Sequence, residues 1–291
     1  MLDRTIDFRS DNVGRASPEI LEAIATANHG TDASYGADAT SAELERRFSE
    51  LFETPVKVFP VATGTAANAI GLAAMARPYG GIYCYREAHI LTSEGQASEM
   101  FSGGARLIGL DGEGFRIATR ELEAKLAAAP LGQRHKPQPD AVSVTQASEY
   151  GTVYRLDELA ELGRITRHYK LRFHMDGARL ANALATLGLS PAAMTWRAGV
   201  DVLSFGATKN GGLSSDAIVV FDHGLAEGLS YRLRRAGQTW SKMRFQAAQL
   251  LAYVEGGLYL RTAAAANALA RRLATGLSRI PAVSVIAPVE A

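Results

Sequence analysis

His174-Met175-Asp176-Gly177-Ala178-Arg179 and Leu203-Ser204-Phe205-Gly206-Ala207-Thr208-Lys209-Asn210-Gly211-Gly212 are the two stretches on which the reading of this chain turns. Each leaves a short apolar run of strand type and passes into glycines and polar residues, as a strand does where it enters a loop. The runs that carry them are 171–175 and 200–205, and five more of the same kind occupy 56–62, 81–85, 105–110, 141–145 and 217–221. Helical patterns lie between. Leu44, Phe48, Leu51 and Phe52 share one face over 42–53, and Thr40 with Glu43 forms a capping-box pattern ahead of it. Leu156, Leu159, Leu162 and Ile165 repeat at helical spacing between two strand candidates, as a crossover helix does. This alternation predicts a layered α/β domain with a mostly parallel sheet.

A chain of 291 residues predicts one large domain and part of a second. Residues 130–139, rich in Pro, Gln and Lys, read as a surface excursion within the first. After Phe221 the pattern changes to long helices over 226–235 and 244–277 and a β-like stretch over 282–287, so the boundary is set near Gly237, giving domains 1–236 and 237–291. Apolar residues make up 47% and charged residues 21%, which excludes a disordered chain. The formal net charge of +1, with both signs mixed along the sequence, provides no field for nucleic acid or an anionic membrane. Met1-Leu2-Asp3-Arg4 lacks an apolar signal core, and no stretch has the length of a membrane span. The single cysteine, Cys84, excludes an intramolecular disulfide and reads as a small buried residue of a strand. The expected compartment is the cytoplasm.

Three features carry chemistry. Val61-Ala62-Thr63-Gly64-Thr65-Ala66-Ala67-Asn68 follows a strand and opens a helix, where free N–H groups and the positive end of the helix dipole suit a phosphate; the same residues also cap helices with nothing bound. Asp176 comes at a strand end, where open α/β sheets present ligand-binding groups; it suits a cationic partner such as a protonated pyridine nitrogen, or else a helix N-cap. Lys209 lies past another strand end among glycines and apolar residues, a setting for an amine that bonds to a carbonyl, although most lysines are simply solvated. Together they supply the three anchors of pyridoxal phosphate: phosphate, ring nitrogen and aldehyde.

With these residues in place, the sequence resembles the low-specificity L-threonine aldolases and L-phenylserine aldolases, which are fold-type I pyridoxal-phosphate enzymes. The resemblance runs from Phe8-Arg9-Ser10-Asp11-Asn12 through Ala33-Ser34-Tyr35-Gly36-Ala37-Asp38 and the stretches quoted above to Pro288-Val289-Glu290-Ala291. It implies a fold-type I transferase-like large domain with an incomplete small α+β domain behind it. It also implies a homotetramer with active sites at subunit interfaces. Lys209 is implied to hold the cofactor and Asp176 to partner the ring nitrogen. Gly64, Thr65, Ala66, Arg179 and Thr208 are implied as further cofactor contacts, and His89 as the imidazole stacked on the ring. Ser10 and Arg179 resemble the groups that bind the substrate carboxylate, and Tyr35 a residue that lines the neighbouring site. Glu149 stands where several family members carry a histidine near the substrate hydroxyl, and a carboxylate there still suits removal of that proton.

The resemblance therefore implies cleavage of the Cα–Cβ bond of a β-hydroxy-α-amino acid to glycine and an aldehyde. β-Elimination on the same anchors is the alternative, told apart by ammonia and a keto acid as products. A third reading is a regulatory protein without turnover, which a DNA-binding segment would favour; none is present. Family chains continue past this point with strands of the small domain and an arginine for the substrate carboxylate. The expectation is accordingly of a shortened chain, in which Val283-Ser284-Val285-Ile286 is a poorly paired first strand and amino acids are held weakly.

Overall fold

A computed structural model describes Asp7 and residues 10–291; Phe8 and Arg9, from the first motif of the resemblance, lie outside the described residues. The seven strand expectations are met by β1 (Lys57–Val61), β2 (Gly80–Tyr85), β3 (Arg106–Leu110), β4 (Gln138–Thr145), β5 (Arg172–Gly177), β6 (Val202–Phe205) and β7 (Asp216–Val220). They form one sheet in the order β1-β7-β6-β5-β4-β2-β3. Only β7 runs against its neighbours β1 and β6; the other pairs are parallel. Strands β2, β6 and β7 are buried along their whole length, which is why they read as continuous apolar runs. Edge strand β1 carries Pro60 opposite Ala217 of β7.

The helices are α1 (Pro18–Ala27), α2 (Ala39–Leu51), α3 (Gly64–Met75), α4 (His89–Thr92), α5 (Ala97–Ser102), α6 (Thr119–Ala127), α7 (Leu156–His168), α8 (Leu180–Leu187), α9 (Pro191–Met194), α10 (Ala226–Arg235), α11 (Arg244–Val254) and α12 (Leu258–Leu277). The stripe read on α2 faces the core: Leu44, Phe48 and Phe52 are buried. Phe48 and Phe52 meet Phe205 at the end of β6 edge-on, with ring centroids 5.1 and 6.3 Å apart. Edge-on aromatic pairs of this kind add about 0.5–1.5 kcal/mol beyond the burial itself. They fix the strand end from which the Lys209 loop departs.

Three local expectations are corrected. The cap of α2 is Asp38, whose Oδ1 accepts from Ser41 N–H at 2.8 Å, so the helix starts before the Thr40–Glu43 pattern. The helix expected over 244–277 is two helices. Gly256 and Gly257 take φ of 56° and 72° between α11 and α12, a left-handed conformation that only glycine adopts freely. Residues 283–286 are unpaired, as expected, but form no strand; Val283, Val285 and Ile286 are exposed beyond α12. Most of the 130–139 stretch is a loop as expected; β4 begins at Gln138, whose side chain closes the loop by donating to the carbonyls of Pro130, Gln133 and Lys136. No helix is long and apolar enough to cross a membrane among the described residues.

Candidate active site

Parallel strands deliver their C-terminal ends to one edge of the sheet, and β7, entering in the opposite sense, brings its first residue to the same edge. A cavity of about 280 Å³ lies there. Gly64, Thr65, His89, Glu149, Asp176, Arg179, Thr208 and Lys209 all line it, Asp176 from the end of β5 and the others from the segments that follow β1, β2, β4, β5 and β6. Most of the residues singled out in the sequence thus meet in one place.

Thr63 caps α3, its Oγ1 accepting from Ala66 N–H at 3.1 Å. Ala66 is thereby engaged within the turn and does not line the cavity, whereas Gly64 and Thr65, in the first turn, present N–H groups that no helical carbonyl can reach. Asp176 is 3% exposed, and its two oxygens are separately held. Oδ1 accepts from Ala178 N–H at 3.0 Å, and Oδ2 from Asn68 Nδ2 at 2.9 Å. It does not cap the next helix, which starts at Leu180.

Lys209 sits in a short turn between β6 and β7 and makes no ion pair among the described residues. Its loop is held from both sides. Asp216 Oδ1 accepts from Ala207 and Thr208 N–H at 2.8 and 3.0 Å. Asn210 donates to the Tyr253 hydroxyl at 2.7 Å, and Gln249 Oε1 accepts from Leu213 and Ser214 N–H at 3.1 and 3.2 Å. Burial raises the Asp216 pKa against these donors.

His89 opens α4. Its Nδ1 lies 2.8 Å from Glu94 Oε1, and that hydrogen bond raises the imidazole pKa against the opposing effect of burial. Glu149 Oε1 accepts from His89 N–H at 2.7 Å and from Thr145 Oγ1 at 3.1 Å. Burial raises the Glu149 pKa above the ordinary carboxylate range, so the group holds its proton to higher pH than a surface glutamate. His174, two residues before Asp176 on β5 and so on the same face, is fully buried between Ser143 Oγ at 2.8 Å and Ser204 Oγ at 3.1 Å. Burial pushes its pKa down to about 4, which keeps it neutral.

Three expected residues stand apart from this centre or are otherwise engaged. Ser10 caps the turn Asp11–Val13, its Oγ accepting from Asn12 N–H at 3.2 Å, and it is Asn12 that lines the cavity. Arg179 does line it, with its Nε donating to Asp11 Oδ2 at 2.6 Å. Tyr35 borders a separate cavity of about 600 Å³, with the Arg234 guanidinium 4.6 Å from its ring centre. Residues the sequence reading passed over include Glu94, Asp216 and Gln249. Asp216, as an acidic residue opening an apolar run after a glycine-rich loop, carried a local signal; the other two carried none.

Pyridoxal phosphate fits this donor set. The free N–H groups of Gly64 and Thr65, a buried carboxylate at Asp176 and an unpaired amine at Lys209 surround one cavity, and the three match the anion, the basic nitrogen and the aldehyde of that molecule.

The chain belongs to the β-eliminating lyase family, whose model matches residues 7–290. It is 42% identical over 291 residues to the low specificity L-threonine aldolase of Pseudomonas sp. (strain NCIMB 10558), an alignment covering 100% of this chain and 84% of that protein. Its fold matches a threonine aldolase from Leishmania major with a TM-score of 0.87 and 26% identity, covering 93% of this chain and 78% of the other. An aspartate aminotransferase from Rhodobacter sphaeroides shares the fold, at TM-score 0.73 and 16% identity. The architecture is that of the fold-type I pyridoxal-phosphate enzymes, and the class of chemistry is that of a pyridoxal-phosphate-dependent lyase.

Proposed function

We propose that this protein is an aldolase of β-hydroxy-α-amino acids, cleaving threonine, allo-threonine or phenylserine to glycine and an aldehyde. The observation that carries the reading is the meeting of Lys209, Asp176, His89 and Glu149 around one cavity. Bound pyridoxal phosphate supplies an electron sink for the bond that breaks at Cα. Lys209 would hold that group through its amine. Asp176 keeps a proton at the ring nitrogen, and the N–H groups of Gly64 and Thr65 bind the phosphate, with Thr208 and Arg179 beside them.

Arg179 orients the substrate carboxylate, with Ser10 behind it on the segment that places Asn12. That hold would orient the Cα–Cβ bond for cleavage. Glu149, ionised, would take the β-hydroxyl proton as the bond opens, and His89 would lie against the bound group and bound the space in which the aldehyde leaves. General-base help of this kind is worth roughly 10²-fold to 10⁴-fold in rate.

The proposal extends to a cytoplasmic homotetramer in which Tyr35 completes a neighbouring site; the exposure of its ring beside a second cavity supports that placement. Residues 237–291 are proposed as part of a second, smaller domain. The test is product identity. Glycine and an equimolar aldehyde from any of the three amino acids are expected, and ammonia with a keto acid instead would move the activity to β-elimination.

A further inference from the structure

Asn68 and Glu94 line the same cavity, and the reaction described above gives neither of them a task. The Glu94 side chain has no solvent exposure, and Asn68 is 2% exposed. Glu94 Oε1 accepts from Asn68 Nδ2 at 2.8 Å and lies 2.8 Å from His89 Nδ1. The same Asn68 nitrogen donates to Asp176 Oδ2 at 2.9 Å. One primary amide thus gives its two N–H bonds to two carboxylates. Its orientation follows from chemistry: a flipped amide would set a carbonyl oxygen between two acceptors. Asn68 Oδ1 and Glu94 Oε2 are buried without a partner among the described residues, so the contacts that remain are those that hold the pair.

We propose that Asn68 and Glu94 are positioning residues that join Asp176 to His89 in one buried chain, Asp176–Asn68–Glu94–His89, which keeps a proton on His89 Nδ1 and leaves Nε2 to face the reacting atoms. The inference rests on the reading of His89 as the imidazole of the site. A neutral imidazole has two tautomers, and the partner of one nitrogen decides which is present. Glu94, an acceptor on the Nδ1 side, selects the Nδ1–H form and fixes the ring plane. Asn68 in turn satisfies Glu94, because a buried carboxylate with a single donor is poorly compensated.

The charged groups facing His89 are Glu94 and Asp176, which favour its protonated form, and Lys209, which opposes it; Glu149 accepts its backbone N–H. Glu94 makes the largest of these contributions, so its removal lowers the pH at which His89 titrates. Through Asn68, a change at the ring-nitrogen carboxylate also reaches the imidazole, which ties the electron sink to the group covering it.

The experiment is ¹⁵N-histidine NMR of the holoenzyme across pH, with the His89 resonances assigned by their loss in His89→Asn. In the parent protein His89 is expected to titrate above the ordinary histidine value and to carry its neutral-form proton on Nδ1. In Glu94→Gln the midpoint falls by about one pH unit, the size expected when a neighbouring opposite charge is removed, and the two tautomers become mixed. Asn68→Ala shifts the midpoint less, in a protein that still binds the cofactor. Steady-state kinetics of both variants should show a fall in kcat with KM nearly unchanged. Should Glu94→Gln fail to fold, Glu94→Asp retracts the charge and gives the same direction of change. An unmoved midpoint and tautomer in a folded Glu94 variant overturns the proposal. Full turnover in His89→Asn overturns the reading of His89 and the catalytic part of the proposal with it, whereas an inactive His89→Asn with a fixed titration in the Glu94 variants removes the coupling alone.

Discussion

The two walls of the cavity are built in different ways. On one, Asp176, Lys209 and Asp216 belong to the adjacent strands β5, β6 and β7 or the loop joining them, and main-chain register sets their spacing: Asp176 stands opposite Ser204 on one side and Thr145 on the other. On the other, Asn68, the neighbours His89 and Glu94, and Glu149 come from three separate segments and are held by side-chain hydrogen bonds, many of them to one another. On the first wall the strand register of Asp176 and Asp216 stands without any one side chain, while the Lys209 loop leans on Asp216, Asn210 and Gln249. The second depends on the joint presence of its members, so substitutions there should be strongly non-additive.

The sharpest test of the sheet wall is Lys209→Ala. It should abolish turnover and remove the absorption of lysine-bound cofactor near the visible edge while the fold remains; a variant that keeps both would break the assignment. Next comes the opposite wall. Glu149→Gln should lower the cleavage rate by roughly 10²-fold to 10⁴-fold. Because burial raises the Glu149 pKa, the ionised form needed for proton removal is present above that value and lost as pH falls through it. The acid limb of the rate profile should therefore lie above the ordinary carboxylate range in the parent enzyme and vanish in the variant. If His89→Asn removes activity and Glu149→Gln does not, the imidazole is the base.

Asp176→Asn should retain cofactor but lose on the order of 10²-fold to 10³-fold in rate, the scale of a lost electrostatic stabiliser, as measured by glycine release from the loaded enzyme. Unchanged turnover would refute its role at the ring nitrogen.

His174 offers a smaller effect, on stability. Its folded pKa, about 4, lies below the unfolded value, so its contribution is fully present at pH 7 and is lost as pH falls from about 6.5 towards 4, by about 3 kcal/mol in total. Urea unfolding at pH 7 and pH 5 should show the part of this loss that falls above pH 5, about 2 kcal/mol, in the parent and a reduced one in His174→Asn. The smallest effect should come from Tyr150→Phe. Its hydroxyl donates to Glu87 at 2.6 Å on the surface, and removing it should leave denaturant melts almost unmoved and kcat unchanged.

The same contrast explains what could be read in advance. All seven strands were legible because buried strands must be apolar and their ends must turn. Asp176 and Lys209 were legible because strand ends place residues where ligands bind. Glu94 was not, because nothing local separates a glutamate that is fully buried from one in water; its partner Asn68 lies 26 residues away in sequence. The break in the last helices was missed although Gly256-Gly257 stood in view, since apolar periodicity ran through it. Ser10 was implied by its motif, yet its hydroxyl serves the turn in which it stands, a geometric outcome invisible to residue type.

Pro60 has a consequence for the molecule in a crowded solution. It stands mid-strand in β1, at the flank of the sheet, and proline is tolerated there because its missing N–H costs the ladder nothing on the unpaired side. A strand from a second molecule laid along that flank finds no donor at that rung, and at the start of β1 it meets the charged pair of Lys57 with Glu45, whose atoms are 2.6 Å apart. The flank therefore resists growth into intermolecular β-structure, so that the segment which leads the chain to Gly64 and Thr65 also guards the protein against aggregation.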